Sequence, residues 1–200
     1  MELIIISSPL PVPQEAKGIN ELFEAGMGVF HLRKPDWSFE ETAKLISNID
    51  SKYHTQIAIH HHHYLSKEFD IRRLHFTESH RKNTDAKQII HLKASGFILS
   101  TSAHNQEDLN LLNNFKYTFF GPVFDSISKK DYKSKVSKDF KLANHLINTK
   151  VIALGGINQS NINCVKSMSF HGVAVLGAIW ENEAIERASI FERLLEACQE

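Results

Sequence analysis

The sequence has no excess of charge of either sign: Lys+Arg and Asp+Glu each number 23 in 200 residues. A chain without a basic field does not attract nucleic acid or an acidic membrane, so neither partner is expected. Cysteine is nearly missing as well, with only Cys164 and Cys198. Two thiols so far apart, with no thiol motif around them, exclude a disulfide framework and a zinc ribbon and suit a reducing cytoplasm. The amino-terminal run Met1–Ser8 lacks a basic segment and falls far short of a membrane span, which makes it a first strand rather than a signal peptide. No glycine fingerprint follows that strand, where an open dinucleotide-binding sheet would carry one.

What is present is an ordinary globular composition, 42% hydrophobic and 23% charged, enough to bury one core in a single domain over residues 1–200. Apolar strands alternate with helical stretches along the whole chain. Strands are expected at Leu3–Ser7, Gly28–Lys34, Gln56–His61, Ile71–Thr77, Phe97–Ser102, Tyr117–Phe124, Val151–Ile157 and from Gly172 onward. Helices are expected at Gln14–Ala25, from the Ser38-Phe-Glu-Glu41 capping box to about Tyr53, and at Thr84–Leu92, Asn105–Leu112, Lys138–Ile147, Asn161–Met168 and Ala184–Cys198, with a weak one at 64–70. Alternation implies parallel strands joined by right-handed crossovers, and eight repeats favour a closed (β/α)8 TIM barrel of lean helices and loops over an open sheet.

The two most apolar strands both stop at glycine: Val151-Ile-Ala-Leu-Gly-Gly-Ile157 and Gly172-Val-Ala-Val-Leu-Gly-Ala-Ile179. Gly155, Gly156 and Gly177 would let bare backbone N–H groups approach a phosphate, although tight turns alone also use glycine. In a barrel the chemistry belongs at the carboxyl ends of strands, and here those ends are polar. Strand two ends His31-Leu-Arg-Lys34, strand five ends Ser100-Thr-Ser-Ala-His104, and strand six ends Phe120-Gly-Pro-Val-Phe124 before a loop containing Ser126, Ser128 and Lys129.

Taken together, these strand ends resemble those of the thiamine phosphate synthase and thiazole tautomerase superfamily. The likeness runs in order over nearly the whole chain. The resemblance implies a phosphorylated thiazole as small-molecule partner, its phosphate on the backbone of Gly155, Gly156, Leu176 and Gly177 with Ser126 and Ser128. For a synthase it implies a pyrimidine pyrophosphate meeting Arg33, Ser102 and Lys129, with Lys34 and His60 as further substrate contacts. A homo-oligomer is compatible with the sequence, and the expected location is cytoplasmic.

This chain also departs from the family pattern. Synthases carry an Asn-Asp pair after strand three and an Asp after strand four, where Mg²⁺ meets hard oxygen ligands. Here His60, His61, Glu78 and His80 lie at or near those positions, so Mg²⁺ is expected only if the protein is a synthase, and no cofactor is otherwise assigned. The family's Arg-x-Lys has become Arg33-Lys34-Pro35, which turns the lysine to the other face of the strand. That erosion favours the tautomerase branch, with His31, then His104, as the general base, because Pro122 stands where tautomerases carry their histidine. The synthase is the alternative, and a non-catalytic carrier or sensor of a phosphorylated thiamine precursor is a third reading. The run His60-His-His-His63 reads as a polar barrel lip, with a soft-metal site shared with His31 or His80 as its alternative.

Overall fold

The computed structural model describes residues 1–125, 136, 140–143 and 148–200. Eight strands, β1 (Glu2–Ile6), β2 (Phe30–Leu32), β3 (Ile57–Ile59), β4 (Arg73–Phe76), β5 (Ile98–Ala103), β6 (Tyr117–Phe120), β7 (Lys150–Leu154) and β8 (Gly172–Val175), form a closed barrel in sequence order. Every pairing is parallel, and β8 returns to β1 through Glu2↔Gly172 and Leu3↔Val173. The (β/α)8 expectation holds. Most strands are shorter than their apolar runs, because pairing ends where the chain turns into a loop: the second run ladders only over Phe30–Leu32.

Alternation along the strands divides the buried side chains into two sets. One set, including Ile5, Phe30, Leu32, Ile57, Ile59, Leu74, Phe76 and Leu99, faces the surrounding helices. The other fills the barrel and is itself divided. Ile4, Ile6, Tyr117, Phe119, Ile152 and Ala174 make a largely apolar half built from β1, β6, β7 and β8. The half built from β2 to β5 carries buried His31, His60, His75 and Ser100.

The outer layer comprises α1 (Glu15–Glu24), α2 (Phe39–Ser47), α3 (Leu65–Glu68), α4 (Glu78–Asn83), α5 (Ala86–Ala94), α6 (Ile162–Ser167), α7 (Gly177–Trp180) and α8 (Arg187–Gln199). The capping box of α2 forms both of its bonds: the Glu41 N–H donates to Ser38 Oγ and the Ser38 N–H to Glu41 Oε2. That helix ends earlier than the expected Tyr53. Asn48 closes it through its amide on the Lys44 carbonyl, and buried His54 serves the carbonyls of Ile46, Ile49 and Phe69 from a 3₁₀ turn at Ser51–Gln56. A 3₁₀ turn (Gln106–Leu111) likewise replaces the expected helix after β5, and α4, capped by Thr77 Oγ1 on the His80 N–H, was not expected at all. Most of the expected helix Lys138–Ile147 lies outside the described residues. The barrel seam is fastened by Trp180, whose indole N–H donates to the Ile6 carbonyl at 2.7 Å. Among the described residues no helix is long and apolar enough to cross a membrane.

Candidate active site

Polar groups inside a barrel must satisfy one another, and on the β2–β5 side they nearly do. His31 Nδ1 lies 2.9 Å from His60 Nε2, and its Nε2 lies 2.6 Å from the Tyr117 hydroxyl. His75 pairs through Nδ1 with Ser100 Oγ at 3.0 Å and through Nε2 with Ser102 Oγ at 3.1 Å. Only His60 Nδ1 is left without a partner in this set. Burial, with Arg73 adding to it, pushes His31 down to about 3. Burial and the neighbouring imidazoles hold His60 and His75 well below the usual histidine range, and burial pushes the Tyr117 phenol up to about 12. The network is therefore neutral around pH 7.

This corrects the expectation of His31 as general base. A base must reach the proton it removes, and His31 is fully buried with both ring nitrogens engaged. His60 is 4% exposed, so the substrate contact expected of it is closed off by the same packing. His31, His60 and His75 are also the one group among the described residues whose ligand atoms gather closely enough for a metal, within 4.8 Å of one another. Their orientation does not fit one. The His60 and His75 rings stack at 4.0 Å with planes 22° apart, and lone pairs lying in two nearly parallel planes cannot meet at a single ion.

Around the mouth, Ser7 grips the Arg33 backbone at both its N–H (2.8 Å) and its carbonyl (3.0 Å), fixing the end of β2 and leaving Arg33 half-buried. Ser102, held by His75, is also half-buried at the end of β5. His104 is tied by Nδ1 to the Gly121 carbonyl at 2.8 Å, with Nε2 3.7 Å from Glu78. The Glu78 carboxylate in turn binds Lys82 at 2.6 Å, which lowers its pKa. His61 and His80 lie at the ends of β3 and β4; burial lowers both, and for His61 the Arg33 charge adds to it.

Lys34 is the second correction. Its ammonium is buried away from the mouth, 2.6 Å from Glu15 and 2.9 Å from the Leu10 carbonyl, and lies over the Trp37 ring. The one-place shift that separates it from Arg33 sends it to the helix-facing side, so it is not free for a substrate.

On the opposite side, Gly155 (φ 104) and Gly156 (φ 62) both occupy the left-handed region. Their glycine identity also has a packing cause. A Cβ on Gly155 would lie 2.7 Å from Pro122 Cβ, and one on Gly156 would collide with the Asp125 carbonyl. The loop after β6 is joined there to the turn after β7 by Val123 N–H to Leu154 O and Phe124 N–H to Gly155 O. Leu176 and Gly177 lead into α7, beside the Glu181 carboxylate. Ser126, Ser128 and Lys129 lie outside the described residues.

The sequence reading missed His75, Ser100 and Tyr117. Their signal was present for His75, since Leu74 and Phe76 on either side face the helices and alternation turns the residue between them inward.

A family model described as thiamine monophosphate synthase matches residues 3–179. The chain belongs to this family. It is 27% identical over 187 residues to the thiamine-phosphate synthase of Lysinibacillus sphaericus (strain C3-41), covering 88% of this chain and 86% of that protein. It is likewise 27% identical over 177 residues to that of Clostridium tetani (strain Massachusetts / E88), covering 86% and 83%. The structure of a thiamine phosphate pyrophosphorylase from Bacteroides thetaiotaomicron superposes with a TM-score of 0.79 at 27% identity, over 100% of this chain and 98% of that one. These relatives are enzymes of thiamine biosynthesis, and they are synthases, so the transferase expected as the alternative gains over the tautomerase.

A synthase of this family implies Mg²⁺, and the side chains at the corresponding rim do not fit that ion. His61 and His80 offer nitrogen where Mg²⁺ prefers hard oxygen. Glu78 is already paired with Lys82, and the Arg33 charge acts on His61.

Proposed function

We propose that the chain is a thiamine-phosphate synthase that joins a hydroxymethylpyrimidine diphosphate to a thiazole phosphate. The observation that carries this reading is the opposition of two anion-suited rims across one barrel mouth. In a closed ring of eight strands, Arg33 after β2 and Ser102 on β5 bracket β3 and β4, which stand four places from β7 and β8. The glycine turns after β7 and β8 suit the single phosphate of the thiazole, and Arg33 with Ser102 suits the diphosphate on the other side. One phosphorylated substrate, as in a tautomerase, needs one such rim. Two substrates meeting over the centre need both.

In the reaction, the lone pair of the thiazole nitrogen forms a bond to the pyrimidine methylene carbon. The carbon–oxygen bond to the diphosphate breaks, and its electron pair leaves on the diphosphate oxygen. Arg33 and the Ser102 hydroxyl offset the charge that develops there, while the barrel mouth holds the two reacting atoms in line. Lys129, Ser126 and Ser128 complete the anion contacts in this reading through the family resemblance.

Incubating the pure protein with both substrates and measuring thiamine phosphate and released pyrophosphate tests the proposal. Equal amounts of the two products are expected. Interconversion of thiazole phosphate tautomers without coupling would return the tautomerase reading, and binding of thiazole phosphate without any turnover would return the carrier.

A further inference from the structure

The rim over β2 to β4 rejects a hard divalent ion, yet its residues suit the anion that such an ion would accompany. Among the described residues no carboxylate lies within ion-pair distance of Arg33, whereas Lys34, one residue later, is fully taken by Glu15. His61 lies in the electrostatic range of Arg33, His62, His80 and Asp36, and its Nδ1 is buried without a partner. His80 is exposed on the first turn of α4, beside His63 with ring centres 5.2 Å apart. The carboxylates nearby are Asp36, which is exposed, and Glu78, which is paired with Lys82. Donors and positive charge therefore stand where oxygen ligands would be needed.

We infer that this rim binds a diphosphate group directly, on the Arg33 guanidinium and the ring N–H groups of His61 and His80, with no divalent cation between protein and anion. The inference rests on the reading of this mouth as the site of a pyrimidine diphosphate. A guanidinium presents a planar fork that matches two phosphate oxygens. An imidazole donates an N–H in its neutral as well as its charged form. A dication bridging the diphosphate here would sit against Arg33 and lack hard ligands. In solution it would instead neutralise the free anion and compete with the protein for it.

Calorimetric titration of the intact protein with inorganic pyrophosphate, in EDTA and in excess Mg²⁺, tests this. Binding is expected in EDTA and should weaken when Mg²⁺ is added. Arg33→Ala should lower the metal-free affinity by at least about tenfold, the floor for a charge-assisted hydrogen bond, and His61→Ala and His80→Ala by about threefold to tenfold each, the range for an ordinary net hydrogen bond. The double variant His61→Asp, His80→Asp should reverse the dependence and bind pyrophosphate only with Mg²⁺. Wild-type binding that requires Mg²⁺ overturns the inference, as does the absence of binding in both buffers, or a metal-free affinity untouched by Arg33→Ala in a folded variant. Thiamine phosphate formed only with Mg²⁺ leaves the coupling reaction standing while this inference falls. Metal-free pyrophosphate binding with no thiamine phosphate formed has the opposite meaning.

Discussion

Lys34 and Glu15 form an ion pair of 2.6 Å whose side chains are 1% and 3% exposed, on the helix-facing side of β2. Burial raises the Glu15 pKa and lowers that of Lys34, each against the pull of its partner, so desolvation weighs more than attraction in both. The Glu15 Oε1 atom is buried with no hydrogen-bond partner of good geometry among the described residues, although the Val12 backbone also draws the carboxyl pKa down.

Breaking the pair from one side is therefore expected to be costly. Lys34→Met should destabilise the fold by about 3–5 kcal/mol, while the double variant Glu15→Leu, Lys34→Met should recover most or all of the loss. A double-mutant cycle in urea measures it; additive losses would show that the two charges act independently.

The buried imidazoles give the protein a defined weakness to acid. His31, His60 and His75 all have folded pKa values below the ordinary histidine value, His31 at about 3. The unfolded chain then binds more protons than the folded one below about pH 6.5, so stability is level above that pH and falls as pH drops beneath it. Each ring contributes a slope of about 1.4 kcal/mol per pH unit. Urea midpoints measured from pH 8 down to pH 4 should show the decline, and His60→Gln should flatten it by one ring's share.

Gly156→Ala should destabilise the protein before any ligand is added. The left-handed backbone costs a side chain about 1–2 kcal/mol, and the collision with the Asp125 carbonyl adds to it. Thermal unfolding of the ligand-free variant is the check. A loss of thiazole phosphate affinity in this variant speaks for a phosphate site only beyond what the stability change explains.

His31→Asn and His104→Asn should separate structural from mouth histidines. The His31 ring is sealed among His60, Tyr117 and Phe119, so its loss should cost about 1–3 kcal/mol in unfolding free energy. The His104 ring is 38% exposed at the mouth and tied to the Gly121 carbonyl, so its replacement should change turnover with little loss of unfolding free energy. Both quantities measured on both variants decide it; a pH–rate profile changed only by His31→Asn would restore that residue as a base.

The fold was legible because short unbroken apolar runs such as Val151–Leu154, closed by glycine and alternating with helical stretches, fit a strand covered on both faces. The Ser38 box was legible because its two bonds are local. What escaped was whatever depends on distant packing. Alternation placed His31 and Arg33 on one face, yet nothing along the strand distinguishes the sealed residue from the one at the mouth two places on. The glycines at 155 and 156 read as openings for phosphate, whereas the loop after β6 also needs them bare. The shifted Lys34 was legible in direction, but its partner Glu15 lies on another element and could be found only in three dimensions.

Trp180 offers an optical view of how the barrel closes. Its ring meets Phe30 edge-on and Arg187 lies over it, while its indole N–H rests on β1. The pairing it fastens joins residues 2–5 to 172–175, the most distant strand contact in the chain and the one with the largest loop to close. The other indole, Trp37, packs against the Lys34 ammonium just before α2 and takes no part in the β1–β8 pairing. With Trp37 replaced by Phe, the emission of the remaining indole would report ring closure itself during refolding, separately from the compaction that precedes it.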